Sequence, residues 1–296
     1  MKIIIFSTGI AGRAIYRKLK DSHTIINFIE NNKNLENTYY DKVKIISVEN
    51  IVNKEFDKIA IGGIWIDSMK EQLLKLNISE DKILIIEDNL FNFSMNARVE
   101  ETDVLIKEFA QLMYKNDISY CIEGSSLLCL LRNQNLSDVP DVDVLIKSQD
   151  DLEKIWLIIN DNELFIKNQL TKVIYNEDKI LTKKGTINKI IIKSKSNPAI
   201  TEPTVIDLKL VIDTGKYYIM DYVSEYSLFF NKKFIDGKNY FKYKDMNLLI
   251  PYKEKEYVKL LYGETWMIPA KKWSYKDYGN LIENDKLLKF IEESKK

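Results

Sequence analysis

The first third of the chain alternates short apolar runs with helical segments, and that alternation restricts the fold more than any other feature of the sequence. Lys2-Ile-Ile-Ile-Phe6 reads as a buried strand, Ser7 to Gly12 as a tight turn, and Arg13 to Lys20 as a helix with Ala14, Ile15 and Leu19 inward. Thr24 to Ile29 forms the next strand and ends at Glu30. Lys42 to Ile46, Lys58 to Ile61 and Lys82 to Ile86 read as further strands, with helices at Ser47 to Val52 and Asp67 to Leu76 between them. Such alternation predicts a parallel sheet with helices on both faces.

The order of strand, glycine turn, helix, strand and acid is that of a dinucleotide-binding unit. Gly9 and Gly12 fit its second and third turn positions, Ser7 stands where its first glycine belongs, and Glu30 arrives early for the ribose-binding acid. This part resembles the Rossmann-like nucleotide-sugar or dinucleotide domains attached to bacterial polysaccharide enzymes. The resemblance implies a ligand phosphate over Gly9 to Gly12 and a ribose near Glu30, with a scaffold that only docks the second domain as the alternative.

A chain of 296 residues with an apolar share of 45% is long enough for two cores. The boundary is expected between Asp88 and Arg98, giving domains 1–92 and 93–296. Beyond it, Glu101 to Lys115 reads as an amphipathic helix with Val104, Leu105, Phe109, Leu112 and Met113 on one side, and Asp150 to Asn160 repeats the logic. Leu170 to Tyr175 and Asn188 to Lys193 are β-rich, which predicts antiparallel strands around Asp141 to Ile146. The second domain is therefore expected to be α+β.

Two segments there carry chemistry. Gly124 and Ser125 open an apolar run, Leu127 to Leu131, that ends in Arg132; the first N–H groups of such a helix lack internal partners and suit an anionic phosphate. Asp141-Val-Asp143-Val-Leu-Ile146 alternates as a strand, so both aspartates share a face. Adjacent carboxylates repel unless a cation lies between them, and magnesium takes hard oxygen ligands of this type. In Thr204 to Ile212, strand periodicity groups Asp207 with Lys209 and Val211, and Asp207 is the expected third ligand, with Asp213 as its rival. Three such carboxylates suit one or two Mg²⁺ ions, and Asp207 is also placed to act as general base, because the single histidine lies elsewhere.

Tyr120-Cys-Ile-Glu-Gly-Ser-Ser-Leu-Leu-Cys-Leu-Leu-Arg132 through Asp141-Val-Asp143 resembles the signature of the LicD/fukutin family, which has the nucleotidyltransferase fold. Pro251 to Tyr257 followed by Leu260 to Pro269 is similar to that family's closing segment. Cys129 replaces the family's usual glycine. The resemblance implies Mg²⁺-dependent transfer of a phospho-alcohol, such as phosphocholine or a polyol phosphate, from a cytidine diphosphate donor to a sugar hydroxyl on a glycan or lipid-linked acceptor. It gives Asp141, Asp143 and Asp207 the metal, and Gly124, Ser125 and Arg132 the donor phosphate. The alternatives are a nucleotidyltransferase acting on a small acceptor and a non-catalytic nucleotide-binding protein.

Forty-four basic and forty-four acidic residues cancel, which argues against general attraction to nucleic acid. Cys121 and Cys129 have no metal-ligand spacing and read as reduced core thiols of a cytoplasmic protein. His23 reads as a helix-end residue. No apolar stretch is long enough to span a bilayer, and a lipid-linked acceptor would bring the enzyme to the inner membrane surface.

Overall fold

The computed structural model describes residues 1–63, 65–86, 96–195, 202–223, 225–270 and 273–295. The chain divides into two compact units, Met1–Asn92 with Lys272–Tyr275, and Phe93–Lys271 with Lys276–Lys296. The boundary expected at 92/93 lies outside the described residues.

The first unit holds β1 (Lys2–Phe6), α1 (Ile10–Leu19), β2 (Thr24–Glu30), β3 (Tyr39–Tyr40), β4 (Val43–Ser47), β5 (Lys58–Ile61), α2 (Ile66–Lys75) and β6 (Ile83–Ile85). Its sheet has the order β3-β4-β2-β1-β5-β6, and every pairing is parallel except that of the two-residue β3 with β4. Alternation along β1 feeds two cores: Ile3 and Ile5 join Ile15 and Leu19 of α1, while Ile4 and Phe6 join Leu73 of α2. The unit is thus a mixed α/β, Rossmann-like fold with a parallel sheet covered on both faces. The helix expected from Ser47 to Val52 is instead a 3₁₀ segment at Val48–Asn53; spacing of three already buries both Val48 and Ile51.

The second unit begins with α3 (Asn96–Lys115), β7 (Tyr120–Ile122), α4 (Gly124–Leu131), β8 (Val142–Ile146), α5 (Gln149–Asn160), β9 (Gln169–Ile174), β10 (Ile187–Lys193) and β11 (Val205–Leu210). The five-stranded sheet runs β7-β8-β11-β10-β9. The strands expected at Leu170 to Tyr175 and Asn188 to Lys193 do pair antiparallel, but the strand that joins them to β8 is β11, which runs parallel to β8. After α5 the chain enters the sheet at its far edge, and the antiparallel pairings of β9 with β10 and β10 with β11 bring it back beside β8 in the same direction. β12 (Ile212–Asp213), β13 (Tyr217–Val223), β14 (Tyr226–Asn231) and, after α6 (Lys232–Ile235), the hairpin β15 (Asn239–Tyr243) with β16 (Met246–Ile250) extend the unit. It closes with α7 (Glu254–Tyr262), β17 (Leu281–Glu283) and α8 (Leu287–Ser294). One core joins Ile106 and Phe109 of α3 with Val144, Ile155, Leu208 and Tyr257. Cys121 and Cys129 are buried free thiols, as their apolar neighbours suggest.

Gly12 tests how tightly the first turn is built. A Cβ there would stand 1.7 Å from the Ser7 carbonyl oxygen, a backbone atom that no rotamer change can move. Gly12→Ala is expected to cost about 3 kcal/mol, at the upper end of ordinary overpacking penalties. Chemical denaturation of the variant checks this, and a loss under about 0.5 kcal/mol would contradict the packing described.

Candidate metal centre

Parallel pairing of β8 with β11 sets Asp143 directly opposite Asp207. Strand alternation carries Asp141, two residues before Asp143, to the same side. One carboxylate oxygen from each of Asp141, Asp143 and Asp207 lies within 4.8 Å of the others. Asp207 is only 6% exposed, and its Oδ1 accepts no hydrogen bond among the described residues. A buried carboxylate oxygen left without a donor is expensive, and an all-oxygen set of this size matches the donor preference of a hard divalent cation.

Side chains from outside the two strands hold them in place. Arg98, on α3 and 2% exposed, donates from Nη2 to the carbonyls of Val139 (3.0 Å), Pro140 (3.3 Å) and Pro203 (3.5 Å), gripping the chain just ahead of both β8 and β11. Burial lowers its pKa to about 10, against the opposing pull of Glu202 and other acids nearby, so it remains a cation at neutral pH. Thr102 and Thr204 share a 2.8 Å hydrogen bond beside it. From α4, the Ser126 hydroxyl donates to the Asp141 carbonyl (3.1 Å) and accepts from the Asp143 N–H (3.0 Å). Gly124 has φ +64°, and a Cβ there would lie 2.8 Å from Asp143 Oδ2. Glycine therefore serves both the left-handed backbone and the close approach of the carboxylate.

Lysines answer part of the negative charge. Lys209 Nζ, from the same face of β11 as Asp207, lies 2.5 Å from Asp143 Oδ1 and 3.8 Å from Asp207 Oδ2. Lys189 of β10 donates to Asp207 Oδ2 at 3.0 Å. Burial works against the charge on Lys209, yet Asp143, Asp207 and Asp141 prevail and hold its pKa well above the usual lysine value. Two carboxyls remain poorly compensated. Asp141 is pushed up to about 7, first by the charge of Asp143 and then by burial. Glu123, 4% exposed at the α4 N-cap, rises to about 7 through burial and then the charge of Asp143, although it accepts a 3.2 Å hydrogen bond from Tyr257. Tyrosines stand around this charge: Asp143 and Glu123 both bear on Tyr222, Tyr262 and Tyr278. Tyr278 packs against Tyr222 and Tyr262 with ring centroids 5.9 and 5.4 Å apart.

Other residues singled out in the sequence lie elsewhere or serve differently. At the opening of α4, where Gly124 and Ser125 are expected to hold a donor phosphate, the structure places the carboxylates of Asp143 and Glu123. Ser126, and not Ser125, ties this turn to the aspartates. Arg132 is the C-cap of α4, at the opposite end from Gly124, and its guanidinium donates twice to the Trp266 carbonyl, with the Nε bond at 3.0 Å. Asp213 pairs with Lys232 at 2.7 Å and is no part of the cluster. In the first unit, Glu30 accepts from the Thr8 N–H (2.5 Å), the Thr8 hydroxyl (2.7 Å) and the Ser7 hydroxyl (3.2 Å), so the acid expected to meet a ribose is bound to its own turn. The Gly9 N–H donates to the Ser7 hydroxyl, and Gly12 packs against the Ser7 carbonyl. Ser7 itself takes φ +74°, the conformation that the missing first glycine would have adopted freely.

Lys209 was legible in the sequence as the neighbour of Asp207 on one strand face. Glu123 was legible only as the neighbour of Gly124, with nothing local to show its burial, while Lys189, Tyr222, Tyr278 and Arg98 gave no signal, because each reaches the site from a segment whose position only the tertiary fold decides.

Residues 1–84 match the family model described as C2185-like, N-terminal. No curated protein matches the chain. Among solved structures, UDP-D-quinovosamine 4-dehydrogenase from Vibrio fischeri is 18% identical over 29% of this chain and 78% of its own, with a TM-score of 0.26. The Rex-family repressor RSP is 16% identical over 39% of this chain and 63% of its own, at 0.24. UDP-N-acetylglucosamine 3-dehydrogenase from Acidithiobacillus ferrooxidans is 12% identical over 92% and 91%, at 0.22. Likenesses at these scores carry no inference about ligand or reaction. The LicD/fukutin resemblance is corrected on this ground: the family model that matches is the C2185-like one, over residues 1–84 alone. The expectation of a LicD-type enzyme passing a phospho-alcohol from a cytidine diphosphate donor to a sugar is withdrawn with it. The physical reason lies in the motifs, since a Gly-Ser helix start and an Asp-x-Asp strand each arise from ordinary local packing, and here Asp143 itself lies against that helix start. Among the described residues no helix is long and apolar enough to cross a membrane.

The raised carboxyls set a pH dependence. A carboxyl whose folded pKa exceeds its unfolded value favours folding fully below about pH 4 and loses that contribution as pH rises through about 7. In a chelating buffer, folding stability is expected to fall between about pH 4 and 7, by on the order of 3 kcal/mol for each of Asp141 and Glu123. Asp141→Asn should flatten the slope in denaturation curves collected across that window. An unchanged slope in the variant would contradict the assignment.

Proposed function

We propose that the second unit binds a divalent cation through Asp141, Asp143 and Asp207, and that the cation in turn holds the phosphates of a nucleoside-diphosphate-type ligand. The observation that carries this is the gathering of three carboxylates around a buried Asp207 oxygen that no protein donor satisfies. Magnesium is the expected ion, because it completes its coordination with water and phosphate oxygens when a protein supplies only a few carboxylates. Lys189 and Lys209 would add positive charge next to the phosphates. The tyrosines around Glu123 and Asp143 supply aromatic surface of the kind that stacks on a base or sugar ring.

This reading assigns the second unit to the nucleotidyltransferase fold. Supporting it are the helix that starts directly after the edge strand β7, and the aspartates carried at the start of one central strand and on its parallel neighbour. Fold alone does not fix a reaction, and the proposal concerns metal-dependent capture of the ligand. Glu123 would hold a proton within the site that is exchangeable near neutral pH. The Gly9 to Gly12 turn is proposed as a scaffold, because Glu30 already takes the Thr8 N–H that a phosphate would need.

Isothermal titration with UDP, CDP and ADP, each in MgCl₂ and in EDTA, tests the proposal. At least one nucleotide is expected to bind at least about tenfold more tightly with Mg²⁺, a difference of about 1.4 kcal/mol. Asp207→Asn should abolish that gain while leaving the protein folded. Binding that is indifferent to Mg²⁺, or a gain that survives Asp207→Asn, would refute it.

A further inference from the structure

A cluster of acids can seat one metal ion or two, and the distinction is usually made by which oxygens remain free. Here two of them are taken by ammonium groups. Lys209 Nζ sits 2.5 Å from Asp143 Oδ1 and 3.8 Å from Asp207 Oδ2, bridging the two carboxylates that face each other across β8 and β11. Its side chain is 19% exposed, and Lys189 approaches the same Asp207 Oδ2 at 3.0 Å. On the other side, Asp207 Oδ1 is buried and accepts nothing among the described residues. Asp143 Oδ2 faces the bare Cα of Gly124.

We propose that Lys209 occupies the second cation seat of this cluster, so that the centre takes one divalent ion where a bare three-carboxylate site would take two. This rests on the reading that the cluster binds metal, and it adds the stoichiometry and the residue that sets it. Two-metal sites place their ions about 3.5–4 Å apart, bridged by a shared carboxylate. An ammonium held between Asp143 and Asp207 fills the place of such a bridged ion and repels another cation from it. Charge favours the same answer. Three carboxylates facing two lysines leave a deficit that one divalent ion reverses, and a phosphate then balances the excess. In the protein without phosphate ligand, the state in which ion binding is measured, two divalent ions beside two ammonium groups would leave a net positive charge in a partly buried site. The lysine is also geometrically fixed: β11 alternation forces the residue two places after Asp207 onto the same face, and the neighbouring strands leave Nζ between the two acids.

Equilibrium dialysis with Mn²⁺, read together with Mn²⁺ electron paramagnetic resonance, tests the assignment. The wild-type protein is expected to bind a single ion with an uncoupled signal. Lys209→Met removes the ammonium while keeping an unbranched chain, and should admit a second ion that shows spin coupling to the first. Lys209→Arg keeps the charge and should remain at one. Two coupled ions in the wild-type protein, or one ion in a folded Lys209→Met, would overturn the role of Lys209 while leaving the metal centre standing. Failure of the wild-type protein to bind Mn²⁺ would overturn the metal reading itself, and this inference with it. Should Lys209→Met not fold, Lys209→Gln and the wild-type stoichiometry decide the matter.

Discussion

Two aspartates set side by side on adjacent parallel strands repel each other, and the second unit is arranged around meeting that repulsion. Asp143 and Asp207 face each other in register, with Asp141 beside them, and two lysines from β10 and β11 compensate part of the charge. Those lysines are not enough to keep every carboxyl ionised, as the upward shifts of Asp141 and Glu123 record. Without a further cation, the site stores an electrostatic cost that only protonation relieves. A divalent ion would relieve that cost at neutral pH, and this is the physical basis of the proposed metal and phosphate binding.

The surrounding structure keeps the acids from moving apart. Arg98 ties the residues ahead of β8 to those ahead of β11, and Ser126 fixes the start of β8 to the first turn of α4. Gly124 lets the Asp143 carboxylate come closer to that turn than any side chain would permit. A charged, buried guanidinium bound to carbonyls is costly to desolvate, so its use at this point is consistent with positioning the strands more than with stabilising the fold as a whole.

Much of the fold was legible because its signals are local. Apolar runs of strand length, broken by helices, sufficed for the parallel sheet of the first unit, and period-two alternation sufficed to place Asp141 with Asp143 and to group Asp207 with Lys209. What was not legible depends on contacts between distant segments. The direction of β11 follows from the β9 and β10 pairing and had no local sign. Nor did the engagement of Glu30 with Thr8, which turns an expected ligand contact into a brace for its own loop. The family resemblance failed for a related cause. Its motifs are short, and several of their residues have packing roles here, from Gly124 beneath Asp143 to Arg132 on the Trp266 carbonyl.

The most direct test is crystallographic. Crystals soaked in MnCl₂ and measured at the manganese edge should show an anomalous peak about 2.2 Å from oxygens of Asp141, Asp143 and Asp207, a distance between those typical of magnesium and calcium. No peak there at saturating Mn²⁺, with the three carboxylates still drawn together, would contradict the account at its centre.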